Sequence, residues 1–395
     1  MNFRNFHAAW GASAAALLIG LSACGGGGDG GISGTGVMRL SITDAPACGY
    51  DHVYVTVEKV RVHQSATAAE DDPQGWSEVV LNPAKRVDLL TLTNGVLEPL
   101  GETALPAGRY SQLRLVLAEN SPSAPLANSV VPTGGTETAL TTPSGQQSGL
   151  KLNVQMDVPA GQVADFALDF DACKSVVKRG GSGQYNLKPV VSVIPLLSDA
   201  GLRVVGYVDT SIASASTTVS VQQGGVPVKA TVPQADGKFV LYPVPVGTYD
   251  LVIGSQGRVT AVMTGVPTTT SSYTVLNSTS FAFLPAPSTA VTVTGTVTPT
   301  SATVRALQML SGGPTVEVAW AAVDASTGLF QTTLPTQAPV KTAYVPNAST
   351  AYTFTPDAAP DVAGQYTLEA AYAGMTQTRS VNTASLTTPI AFSFP

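Results

Sequence analysis

Charge and histidine are scarce in this chain. Its 395 residues hold 20 basic and 26 acidic side chains, 12% charged in all, for a net charge of −6. That balance excludes the broad basic face that nucleic-acid binding requires. Of three histidines, His7 falls in an apolar leader, which leaves His52 and His63 for imidazole chemistry. Eleven residues apart, they would face opposite sides of one regular strand unless a bulge intervened. There is no HExxH, no GxSxG elbow and no P-loop, and Gly180-Gly181-Ser182-Gly183 reads as a turn. These absences speak against a histidine triad or a zinc hydrolase. Carboxylate-only chemistry, as in a glycosidase, needs neither motif and stays open. Aromatics make up only 7%, and the mature chain shows no sustained 3.6-residue apolar period that would announce a helical bundle.

Turn formers and β-branched residues are abundant instead. With 38 glycines, 28 prolines and many Val and Thr, the composition predicts an all-β, multi-domain protein. Alternating segments support this. Met38, Leu40 and Ile42 would share one strand face, as would Leu113, Leu115 and Leu117, and Leu152, Val154, Met156 and Val158. Asn94-Gly95 and Pro106-Ala107-Gly108 read as turns, and Asn120 to Gly149 as a long exposed loop or hairpin.

The first residues set the compartment. Arg4 precedes an apolar run from Ala8 to Leu21, too short for a comfortable membrane span. The run ends in Leu21-Ser22-Ala23-Cys24, which resembles the bacterial lipobox. That resemblance implies cleavage before Cys24, acylation of its thiol and anchoring in a membrane. An ordinary cleaved signal with an incidental cysteine is the alternative. Gly25, in place of a retention-signalling Asp, points to the outer membrane, with the protein facing either the periplasm or the cell surface. Residues 24–36 are Gly-rich and read as a flexible tether. The two remaining cysteines, Cys48 and Cys173, would form one disulfide in an oxidising compartment; two free buried thiols are the alternative.

Three β-sandwiches are expected after the tether, at 37–197, 201–284 and 291–395. In the first, Leu40-Ser41-Ile42-Thr43-Asp44-Ala45-Pro46, Val55 to Val60, Trp76, Val87-Asp88-Leu89-Leu90 and Leu105 to Tyr110 resemble the bacterial lipoprotein family of domain of unknown function 4382. The resemblance implies a compartment and no established activity. The other two read as an internal repeat. Val204 to Val208 matches Val293 to Val297, Gly237-Lys238-Phe239 matches Gly328-Leu329-Phe330, and Phe281-Ala282-Phe283 matches Phe392-Ser393-Phe394. A Pro/Thr-rich insertion separates Phe330 from Tyr366 in the second copy. The first copy, through Val226-Pro227-Val228, Asp236 to Phe239 and Pro245 to Leu251, resembles the carboxypeptidase regulatory-like domain. This implies a seven-stranded prealbumin-like sandwich of accessory character.

Gly108-Arg109-Tyr110, Gly247-Thr248-Tyr249 and Gly364-Gln365-Tyr366 recur, one per sandwich. Glycine can supply positive φ at a turn, and each tyrosine can bury its ring and return its hydroxyl to the backbone. Trp76 is expected half-buried at a strand start, and the Asn277-Ser278-Thr279 sequon carries no weight here. The sharpest chemical candidate is acidic. In Asp165 to Asp171 the even positions are apolar, so Asp165, Asp169 and Asp171 share a face, and a disulfide to Cys48 would bring Asp44 near them. Such carboxylates could hold calcium; the plainer reading is a solvated strand face with a turn-forming Asp44. The expectation is therefore a non-catalytic binding, adhesion or scaffold lipoprotein needing no cofactor. It would contact the membrane through its lipid and an unknown protein or glycan partner. Alternatives are a periplasmic saccharide- or peptide-binding component and a carboxylate-dependent enzyme.

Overall fold

The computed structural model describes residues 34–44, 49–142, 149–198, 200–386 and 389–395. The leader, Cys24, most of the tether and Cys48 therefore lie outside the described residues. Strands dominate, and the one α-helix among the described residues is the four-residue turn Ala172–Ser175. Tandem β-sandwich architecture follows from the alternation in the sequence. Met38, Leu40 and Ile42 are fully buried along Thr35–Asp44, as are Leu113, Leu115 and Leu117 along Gly108–Leu117.

In the first sandwich, Thr35–Asp44 runs antiparallel to Glu98–Pro106 and parallel to Val163–Phe170, whose other neighbour is Val191–Pro195. Facing this sheet is a larger one built around Tyr50–His63. That strand carries a bulge between Val57 and Lys59. Burial switches there from Val53, Val55 and Val57 to Val60 and Val62. The bulge puts His52 and His63 on the same outward side, though near opposite ends of the strand. The expected loop after Asn120 contains a small hairpin, Ser129–Pro132 against Thr138–Thr141.

The internal repeat is visible in strand order. Val204–Tyr207 lies between Lys238–Leu241 and Thr274–Val275, just as Ala290–Thr298 lies between Leu329–Pro335 and Ile390–Ser393. Opposite them, Val226–Thr231, Thr217–Gln223, Gly247–Ser255 and Ala261–Thr268 follow the same order as Thr315–Ala321, Thr303–Met309, Gln365–Tyr372 and Met375–Asn382. Gly206 pairs with Phe239, and Gly295 with Phe330. A Cβ would stand 2.5 Å from the Phe239 ring at Gly206 and 2.4 Å from the Phe330 ring at Gly295. Each glycine therefore leaves room for a phenylalanine to lie across its strand, which explains why Gly and Phe recur together. One alignment shifts. Phe283 sits opposite Val208 and Phe392 opposite Val297, so Phe283 corresponds to Phe392 and not to Phe394.

The insertion in the second copy does not stay with its own sheets. Val340–Ala343 adds in parallel to Ala261–Thr268, and Thr355–Pro356 adds beyond it. Val340, Tyr344, Tyr352 and Phe354 pack on the core of the preceding sandwich, with Phe354 edge-on to Phe283 at 5.6 Å. The third segment thus closes an edge of the second.

A candidate functional site at the junction of three sandwiches

The acidic strand does not stay on a solvated face. Asp165 pairs with its register neighbour Arg39 at 3.2 Å, and Arg39 also holds Glu102 at 3.1 Å. Four residues on, Asp169 takes an ion pair from Lys229, which rises from the strand Val226–Thr231 of the second sandwich. The Lys229 side chain is 1% exposed, and its ammonium also donates to the Asp44 carbonyl at 3.2 Å. Asp44 itself is fully buried. Its Oδ1 accepts from the Ala172 amide at 2.9 Å, while its Oδ2 has no hydrogen-bond partner among the described residues. Burial pushes the Asp44 carboxyl well above the usual range; the charges of Asp171 and Asp169 add to this, and the Ala172 amide and Lys229 oppose it.

Asp171 caps the short helix, accepting from the Lys174 amide at 3.0 Å, and burial raises its pKa too. These placements give Asp165, Asp169 and Asp171, three of the four carboxylates expected at a calcium site, partners within the protein. Calcium needs six to eight converging oxygens. Here Asp165 and Asp169 are each held by a cation from a different element, and Asp171 serves a helix. Among the described residues no group of three or more His, Cys, Asp or Glu is placed to hold a metal ion. A lysine from the neighbouring sandwich stands where the cation was expected.

A second ionic chain continues from Lys174. Its ammonium lies 3.3 Å from Glu317 and 4.9 Å from the Trp320 ring, both on the strand Thr315–Ala321 of the third sandwich. Glu317 also meets Arg305 at 3.4 Å; Arg305 pairs with Glu369 at 2.8 Å and donates to the Gly225 carbonyl at 2.8 Å. Gln222 of the second sandwich bonds both backbone groups of Glu317, each at 2.8 Å, as a strand neighbour would. Burial raises the Glu317 pKa, with Lys174 and Arg305 pulling it back.

Further clasps flank this chain. Asn94, expected only as a turn residue, has φ 58° and anchors the second sandwich three times: its amide on the Thr231 hydroxyl, its Nδ2 on the Val232 carbonyl and its Oδ1 under the Val240 amide. Between the first and third sandwiches, Asp324 accepts from the Gly180 amide at 2.6 Å, and Lys188 donates to the Thr300 carbonyl at 3.1 Å.

Among the described residues, a small cleft of about 150 Å³ beside Asp169 and Lys229 and two larger ones open at this junction. One of about 330 Å³ is walled by all three sandwiches, including Tyr50, Lys174, Gln222 and Glu317. Burial pushes its Tyr50 phenol up to about 12, so the hydroxyl stays protonated. Cys173 lines the same cleft. The other cleft, about 520 Å³, lies between the first and third sandwiches beside Trp320.

The remaining singled-out residues lie elsewhere. The hydroxyls of Tyr110, Tyr249 and Tyr366 donate to the carbonyls of Pro106, Pro245 and Pro335 at 2.7–2.8 Å. Gly108 and Gly364 have positive φ, at 148° and 67°, whereas Gly247 does not. Gly247 instead makes room for the Tyr249 hydroxyl, which a Cβ would approach to 3.0 Å. His52 pairs with Asp88 at 2.6 Å and stacks on Tyr54, and His63 lies against Trp76, which is half-buried under Arg61. Asn277 spends its side chain on Tyr207 and Phe281. Sequence reasoning missed Lys229, Gln222, Arg305 and Glu317. Their signal was a charged or amide residue inside an apolar strand of a chain poor in charge.

Among curated proteins, none matches this chain. Of solved structures, a type II cohesin–X-dockerin complex from Acetivibrio cellulolyticus is similar at 23% identity, covering 20% of this chain and 54% of that one, with a TM-score of 0.17. The Bacillus anthracis TIE protein is similar at 11% identity over 91% of this chain and 50% of that one (TM-score 0.16). BcpA, the major pilin subunit of Bacillus cereus, is similar at 11% over 91% and 99% (TM-score 0.13). The chain spans about half the length of the first two. Residues 35–189, the first sandwich, match the model of a domain of unknown function, DUF4382.

Proposed function

We propose that this is a lipid-anchored envelope protein that binds or scaffolds without catalysis. Cys24 would carry the lipid, residues 24–36 the reach from the outer membrane, and the three sandwiches the working surface. The observation that carries this reading is the clasped junction. Lys229, Gln222 and Glu317 spend buried polar groups on holding three sandwiches together. A body so fixed at the end of a flexible tether presents its loops and clefts as one surface. The His52 and His63 side chains are engaged near opposite ends of one strand, with Asp88 and with Trp76. The reading includes a Cys48–Cys173 disulfide, which intact mass before and after reduction tests. Protease shaving of intact cells, with a periplasmic control followed alongside, tests the rest. Cleavage with the control intact places the domains on the surface and favours adhesion. Cleavage only after the outer membrane is opened places them in the periplasm. Release of the chain in soluble form without detergent would overturn the anchor. The clefts at the junction favour a second reading, a ligand-binding component.

A further inference from the structure

The 520 Å³ cleft between the first and third sandwiches falls within the span of small-molecule sites, roughly 300–1,000 Å³. Its lining includes three lysines, Lys151, Lys174 and Lys188, and no Asp or Glu among the described residues. That is a marked local excess of positive charge in a chain of net charge −6. Lys174 is spoken for by Glu317 and Asp171. Lys188 donates to a backbone carbonyl, and among the described residues neither it nor Lys151 has a carboxylate partner. Lys188 is partly desolvated, and burial lowers its pKa. A positive charge held there without a counter-ion favours an anion that would supply one. Trp320 and the hydroxyl-bearing Ser301 and Thr303 complete the wall. An indole suits a flat, half-apolar ring, and hydroxyls suit a polyol.

We infer that this cleft binds a carboxylated saccharide, with the carboxylate at Lys151 and Lys188 and the sugar ring beside Trp320, Ser301 and Thr303. The inference rests on the non-catalytic binding reading and names its ligand class. A bare phosphate fits less well, because the wall offers no guanidinium fork to grip it.

The test is calorimetric titration of the mature chain, at low salt, with digalacturonic acid, its neutral counterpart galactobiose, and acetate. Acidic disaccharide should bind, the neutral one about tenfold more weakly, and added salt should weaken the acidic complex. The double variant Lys151→Gln, Lys188→Gln should lose about tenfold in affinity, and its melting temperature should fall by no more than the loss of the Lys188–Thr300 hydrogen bond allows. Its amides keep a hydrogen-bond donor without the charge, one bond shorter in reach, and spare the Lys174–Glu317 junction. Lys151→Gln alone, which leaves the Lys188–Thr300 bond in place, should lose part of the affinity at the parent's melting temperature. Equal binding of acidic and neutral sugars, acetate binding as well as the disaccharide, no binding, or a variant that binds as the parent does would each overturn the inference. Mass analysis of recovered sugar separates the two readings. Cleaved sugar would overturn the non-catalytic reading and keep the site, whereas absent binding removes the site and leaves the anchored scaffold standing.

Discussion

Lys229 shows what a single buried charge can decide. Its ammonium is inaccessible to water and is shared between Asp169 and the Asp44 carbonyl. Lys229→Met would leave Asp169 buried without its counter-ion, at a cost of about 3–5 kcal/mol. Urea denaturation should show that loss; a midpoint equal to the parent's would mean the pair contributes nothing. Asp44 behaves in the opposite sense. Its pKa is raised in the folded chain, so the native state binds its proton more tightly than the unfolded state does. The stability this confers is present below the unfolded pKa of about 3.9 and is lost as pH rises through the higher folded value. Asp171 and Glu317 shift in the same direction. Asp44→Asn should therefore gain on the parent as pH climbs from about 4 to neutrality, with no gain below. Urea midpoints across that range check it. Tyr249→Phe removes one hydrogen bond to the Pro245 carbonyl and should cost about 1 kcal/mol in the same assay.

At the scale of elements, the repeated glycines are packing residues. Gly206→Ala or Gly295→Ala would drive a methyl into the ring of Phe239 or Phe330 and should destabilise by about 1–3 kcal/mol, read from the melting transition. The acidic strand was legible as a pattern, because Phe166, Leu168 and Phe170 do turn inward. Its partners were not, since Lys229 and Arg39 lie 60 and 126 residues away in the chain. The insertion between Phe330 and Tyr366 was legible as an interruption of the repeat. Where it would lie was hidden, because an edge strand takes its place from whichever sheet edge has unpaired backbone groups. Replacing residues 338–357 with a short Gly/Ser linker should expose the Ala261–Thr268 edge and the ring of Phe283. Limited proteolysis should then cut the second sandwich first.

For the whole molecule, the junction predicts cooperative behaviour. Clasps at Asn94, Lys229, Gln222 and Asp324 join each sandwich to another, so the described body should melt in one calorimetric transition. Lys229→Met should split it into more than one; a parent that already melts in separate steps would show that the clasps do not couple the units. The sequence by itself determined the class of architecture, the repeat and the turn tyrosines. All of these are written in local spacing, where period-2 alternation and Gly–Phe or Gly–Tyr offsets act over a few residues. Only the tertiary structure decided what the carboxylates do, which edge the insertion covers and where the clefts open. Those outcomes depend on charges brought together from distant strands, and a buried carboxylate takes the cation the fold delivers to it, here the Lys229 ammonium.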